Sequence, residues 1–276
     1  MKTFNADNYL QRVNHTTDVI ISEDGLRALH RAQLYKIPFE NLDVLLGRGI
    51  SLEPETLFNK LVHRPRGGYC FELNGLFLAA LQSFGFNARA LLARVHLSGT
   101  PSGRGHQVSL VTINGKQWLA DVGFGGLNML APIPLELNHP RTFKGQTLRL
   151  AEAGSLGTML QALKEDSWQD LYSFELGHVY PIDIAYGNHY TSTHPDAFFT
   201  SNCMAALPTT DGKVTLFNDT LTIVSANTER VRDLGEGQDY IDGLKTYFGI
   251  ELDATYESLL PYPDPKAERQ DGPLVS

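Results

Sequence analysis

Arg66-Gly67-Gly68-Tyr69-Cys70-Phe71-Glu72-Leu73-Asn74 joins two glycines to the start of a helical pattern. Downstream, Leu73, Leu76, Phe77, Ala80, Leu81 and Phe84 fall on one broad stripe. The spacing predicts a helix from about Tyr69 to Phe84, with Gly85 as its C-cap. Cys70 then sits in the first turn, where partial positive charge and unpaired N–H groups favour a thiolate over a thiol. The plainer reading is a buried structural cysteine, the usual fate of a free Cys.

Upstream of this stretch the chain reads helical. Asp24-Gly25 leads into Leu26, Leu29, His30, Gln33 and Leu34 at helical spacing, with Pro38 as the stop, and Pro54 opens a second pattern through Leu57, Leu61 and Val62. Downstream it reads as strands, first Ala90–Leu97, then a Gly/Ser/Pro loop over 98–105. His106–Ile113 and Lys116–Val122 follow, around the Asn114-Gly115 turn. Asn-Gly between two such runs is the strongest short hairpin signal. Further strands are expected near Gln146–Leu150, Met159–Leu163 and Trp168–Glu175. Pro181, Pro195 and Pro208 punctuate the last third. There Val214–Phe217 and Leu221–Val224 form a short hairpin, Asp239–Phe248 a helix capped by Gly249, and the tail from Pro261 is loosely ordered.

The hairpin allows a geometric test for a base and an orienting carboxylate, which a nucleophilic thiol requires. With Ile113 facing Lys116, Val108 faces Asp121 and His106 faces Gly123. His106 and Asp121 then share a face as diagonal neighbours, roughly 7–8 Å apart at most, and a one-residue slip would separate them. His63, His96, His139, His178, His189 and His194 have no carboxylate partner by register, and His96 is the best rival because it lies on a neighbouring strand. After Asp121, glycines surround Phe124, which lets the backbone approach a ligand closely. The blander alternative is a β-turn with a core phenylalanine. Neither Gly67-Gly68 nor the glycines of 123–126 form a phosphate loop or a dinucleotide fingerprint.

Composition narrows the functional classes. The chain has 276 residues, a length that suggests about two domains, and 42% hydrophobic with 20% charged residues is ordinary for a globular protein. A net charge of −8 disfavours nucleic acid and anionic membranes as partners. Two cysteines make no disulfide framework and no metal-ligand spacing, so no metal is expected. The first residues hold no apolar signal core, and the longest apolar run is far short of a bilayer span. The expectation is a cytoplasmic protein in a reducing compartment.

The segment Arg66–Asn74 resembles the active-site signature of the arylamine N-acetyltransferases. Ile37-Pro38-Phe39-Glu40-Asn41-Leu42-Asp43 resembles their N-terminal motif and Asp121-Val122-Gly123-Phe124-Gly125 their aspartate motif. Gly187-Asn188 through Thr193-His194-Pro195 to Phe199 is similar to their third-domain segment. These landmarks stand in family order over roughly residues 9 to 250. One departure is visible. The family usually has Thr before the histidine and an aliphatic run after it, whereas Gly105 precedes His106 here and Ser109 interrupts the run.

The resemblance implies an α+β fold with a Cys-His-Asp core of the transglutaminase and cysteine-protease type, in three parts. Residues 1–85 would be a helical bundle carrying the nucleophile. Residues 86–190 would be a β-barrel-like domain carrying His and Asp, and 191–276 an α/β lid. It implies catalytic Cys70, His106 and Asp121, the trio that the hairpin register also selects, and an aromatic pocket of Phe39, Val95, Phe124 and Phe199. It further implies ping-pong acetyl transfer from acetyl-CoA to arylamines, arylhydrazines and N-hydroxyarylamines. A homodimer is left open. Arg64 and Arg66 are candidates for CoA phosphates, although pairing of Arg66 with Glu40 or Glu72 is favoured. Glu72, two residues along the helix from Cys70, faces away from the chemistry. A cysteine hydrolase or transglutaminase, a carrier-dependent macrolactam synthase, and a non-catalytic CoA- or aromatic-binding protein are the competing classes.

Overall fold

In the computed structural model, residues 4–226 and 228–259 are described; the expected loose tail from Pro261 lies outside them. Five helices form most of the N-terminal part: α1 (Ala6–Arg12), α2 (Glu23–Leu34), α3 (Leu42–Leu45), α4 (Pro54–Leu61) and α5 (Cys70–Ser83), with the two-residue strand β1 (Phe39–Glu40) between α2 and α3. Each long helix begins on a local signal. Ser22 Oγ accepts from Gly25 N to cap α2, Pro54 starts α4, and Glu72 reaches back to Tyr69 N at 3.1 Å to cap α5. Tyr9, Leu26, Leu29, Phe71, Phe77 and Leu81 form the centre of the first core.

The middle of the chain supplies β2 (Asn87–Val95), β3 (His106–Ile113), β4 (Lys116–Ala120), β5 (Ile133–Pro134), β6 (Arg141–Phe143), β7 (Gln146–Glu152), β8 (Thr158–Lys164) and β9 (Ser167–Phe174). They form one antiparallel sheet in the order β5-β4-β3-β2-β9-β8-β7-β6. Its two ends approach each other. Gln146 accepts from Leu130 N and donates to Asn128 O, and Leu137 bridges to Leu150, which curls the sheet toward a barrel.

The last part contains α6 (Pro181–Thr193), β10 (Met204–Pro208), β11 (Gly212–Phe217), β12 (Thr220–Ser225), β13 (Thr228–Asp233) and α7 (Gly237–Phe248). A second sheet runs β1-β10-β11-β12-β13, so Phe39 and Glu40 donate its edge strand from the N-terminal part. Gly249 in the left-handed region ends α7, as expected of it. No described helix is long and apolar enough to cross a membrane.

Three local expectations shift. The strand expected at Ala90–Leu97 starts earlier, at Asn87, and ends at Val95, because His96 enters a turn closed by Gly99 N to His96 O. Pro181, read as punctuation, is the first residue of α6, where its missing N–H costs nothing. The strand expected to reach Val122 stops at Ala120, because Asp121 and Val122 turn toward α5.

Candidate active site

Cys70 opens α5 and lies buried with its Sγ 3.6 Å from Gly105 O. His106 opens β3, and the observed pairs Ile113↔Lys116 through Ser109↔Ala120 are those the Asn-Gly turn dictates. The ladder ends at Ala120, which frees Asp121 to meet the imidazole diagonally. Asp121 Oδ2 is 2.7 Å from His106 Nε2. That contact leaves Nδ1 as the remaining ring nitrogen, and Cys70 interacts with the same imidazole. Burial opposes a charge on His106. The Asp121 carboxylate, with Cys70 adding to it, outweighs burial and pushes the imidazole up to about 10. Burial likewise opposes the Asp121 charge, but His106, Asn74 and Gly123 hold its carboxyl below the usual range.

Asn74 is the residue that locks this corner. It lies one helical turn after Cys70, on the same face of α5. Its Nδ2 donates to Asp121 Oδ1 at 2.9 Å and to Gln107 O at 2.7 Å, while its Oδ1 accepts from Val122 N at 3.0 Å. His30 adds a contact from α2, Nε2 to Asp121 O at 2.8 Å. Burial lowers the His30 pKa to about 4, with Asp121 opposing, so the ring stays neutral and donates. Neither Asn74 nor His30 is among the residues that the sequence motifs mark as catalytic. The available signals were the i, i+4 spacing of Cys70 and Asn74, and polar side chains at core positions of α2.

The glycines have a packing reason. A Cβ on Gly123 would stand 3.0 Å from Cys70 Cα and 2.7 Å from Asn74 Nδ2, so this glycine admits the nucleophile's own backbone where a ligand was expected. A Cβ on Gly67 would meet Pro38 O at 2.0 Å, because Gly68 pairs with Phe39. Arg66 pairs with Glu40 at 2.8 Å and Asp43 at 3.0 Å. The alternative partner, Glu72, is held by Lys60 at 2.8 Å. Arg66 is therefore engaged inside the fold, and Arg64 is exposed. His96, the best rival histidine, bonds Ser173 Oγ at 2.9 Å.

Aromatic rings close around the trio. Phe124 lies 5.0 Å from the His106 ring and 5.0 Å from Tyr172, a residue that the sequence reading did not single out. Phe199 lies 5.8 Å from Phe39 and 5.9 Å from Tyr69. Val95 pairs with Tyr172 across β2 and β9. Tyr69 OH bonds Asn188, which fastens α6 over the start of α5. A buried thiol, imidazole and carboxylate beside aromatic rings form a unit suited to acyl transfer.

An N-acetyltransferase family model matches residues 23–256. An arylamine N-acetyltransferase / N-hydroxyarylamine O-acetyltransferase of Salmonella typhimurium is 43% identical over 198 residues, 71% of this chain and 70% of that one. The chain belongs to the arylamine N-acetyltransferase family. An arylamine N-acetyltransferase of Escherichia coli is 36% identical and covers 90% of this chain and 89% of its own. Among solved structures, the Mycobacterium marinum arylamine N-acetyltransferase in complex with CoA superimposes with a TM-score of 0.87 at 34% identity, over 92% of this chain and 97% of that one. The helical, barrel-like and mixed α/β parts described above are thus the arrangement of this acetyltransferase family.

Proposed function

We propose that the chain transfers an acetyl group from acetyl-CoA to arylamines, arylhydrazines and N-hydroxyarylamines, through an acetyl-cysteine on Cys70. The observation that carries this reading is the buried 2.7 Å contact between His106 and Asp121, with Cys70 against the same imidazole, in a chain of this family.

His106 takes the proton of Cys70, and Asp121 holds the ring and stabilises the imidazolium. The Cys70 sulfur attacks the thioester carbonyl, with backbone N–H groups at the start of α5 as the source of oxyanion stabilisation. As the tetrahedral adduct collapses, the C–S bond to CoA breaks and His106 returns its proton to that departing sulfur. One thioester replaces another, so Cys70 stores the acetyl group without a deep energy well. The amine nitrogen then attacks the acetyl-cysteine, His106 accepts a proton from it, and the Cys70 sulfur leaves. Phe39, Val95, Phe124 and Phe199 bind the aryl ring and keep water from hydrolysing the acetyl-cysteine.

In this scheme the N-terminal part bears the nucleophile, the barrel-like part bears the base and its orienter, and the part that begins with α6 is the cover. A working thiol and a second buried cysteine that forms no disulfide, Cys203, suit the reducing cytoplasm. Initial rates over a grid of acetyl-CoA and 4-methylaniline concentrations should give parallel double-reciprocal lines, the pattern of a two-step transfer. Intersecting lines would contradict the acetyl-cysteine route.

A further inference from the structure

The loop after Asp121 runs from the nucleophile toward the second sheet. Gly123 touches Cys70, Phe124 touches His106, and Gly125 faces Phe39. A Cβ on Gly126 would stand 3.3 Å from Thr215 of β11. Beside Gly126 lies a cavity of about 240 Å³ with walls that include Leu127, Leu130, Leu207 and Val224. Lys213 enters this cavity, and its Nζ donates to Gly126 O at 2.8 Å. Among the described residues no acidic side chain lines the space. An ammonium has three donors, and this one spends one on the protein. Burial lowers the Lys213 pKa; Glu229 opposes that shift and Lys164 adds to it. The volume is below the roughly 300–1,000 Å³ of a site for a whole drug-sized ligand, so it takes one end of a molecule.

We propose that this cavity is an anion-accepting subsite, in which Lys213 holds an anionic oxygen group of a substrate whose reacting end sits at Cys70. The group is either an acid on the acceptor ring or a phosphate of the donor. The inference rests on the acetyltransferase reading above. Three residues of chain, from Gly123 at Cys70 to Gly126 at the lysine, cover at most roughly 11 Å. That is within the length of one substrate. An apolar cavity with a single cation favours a group that is part apolar and part anionic, because a half-buried charge is costly until it is paired.

Lys213→Met removes the charge, Lys213→Gln removes it but keeps a donor for Gly126 O, and Lys213→Arg retains it. The readout is the ratio of kcat/KM for 4-aminobenzoate to that for the neutral 4-methylaniline, with the KM for acetyl-CoA measured alongside. If the acceptor supplies the anion, the ratio falls about tenfold in the Met and Gln variants and recovers in the Arg variant. If the donor supplies it, the KM for acetyl-CoA rises about tenfold in those variants and the ratio is unchanged. A ratio and a KM both within about twofold of the unaltered protein overturn the subsite. An unaltered protein that fails to acetylate 4-methylaniline overturns the acetyltransferase reading, and the subsite with it.

Discussion

Asn74 makes three hydrogen bonds from one buried amide, and each partner belongs to the segments that hold His106 and Asp121. Truncation would take a donor from Gln107 O, leave Asp121 Oδ1 with Gly123 N alone, and strip Val122 N of its acceptor, all out of reach of water. Asn74→Ala should therefore cost roughly 3 kcal/mol of stability, measurable by urea unfolding. It should also lower kcat/KM by on the order of tenfold in the protein that remains folded, short of the roughly 10⁴-fold cost of disabling a triad carboxylate. An unchanged kcat/KM would mean that Asp121 needs no support from α5. This role lies one turn along the helix from Cys70, so it was available from spacing. The contact of His30 with Asp121 O was not, because it joins residues 91 positions apart through tertiary packing alone.

At the level of elements, the Asn114-Gly115 turn and the packing glycines separate two kinds of constraint. Asn114 and Gly115 both hold positive φ, and nothing lies within 4 Å of a Cβ on Gly115. Gly115→Val should thus cost about 1–2 kcal/mol from backbone strain and leave KM values unchanged. Gly123→Ala should do the reverse, with a larger loss of kcat than of Tm, because its Cβ would press on Cys70 and Asn74. Equal effects of the two substitutions on kcat would contradict this division. The hairpin was legible because turn chemistry sets register, and register alone brought His106 and Asp121 to one face. Helix α6 was not. Its hydrophobic pattern is weak, its exposed face carries Ile182, Tyr186 and Tyr190, and Pro181 signals a break as readily as a start. The short strand β1 was also hidden, since two residues carry no periodicity and its partner β10 lies more than 160 positions away. The loops around the site resist sequence reading for a similar reason: Gly67 and Gly123 are set by neighbours distant in the chain.

For the whole molecule, buried titratable groups set how stability varies with pH. The folded-state pKa of His106 stands near 10, above its ordinary value, so its contribution is complete below about pH 6.5 and is lost as pH rises toward 10. His30 stands near 4, below its ordinary value, so its contribution is complete above about pH 6.5 and is lost as pH falls toward 4. Asp43, held low by Lys60 and Arg66 despite burial, adds to the acid loss. Tm should therefore peak near neutral pH and fall on both sides. His30→Gln, which keeps a donor for Asp121 O, should flatten the acid limb. A Tm that is level from pH 7 to 9.5 would contradict the His106 assignment. His30 and His106 sit where the helical part meets the barrel-like sheet, which is also where the proposed chemistry occurs. The most direct test of that chemistry is the intact mass of the protein after brief exposure to acetyl-CoA without an acceptor. The expected result is a gain of one acetyl group that is absent in Cys70→Ala and discharged by an added arylamine. A folded protein that gains no mass, or that gains it equally in Cys70→Ala, would contradict it.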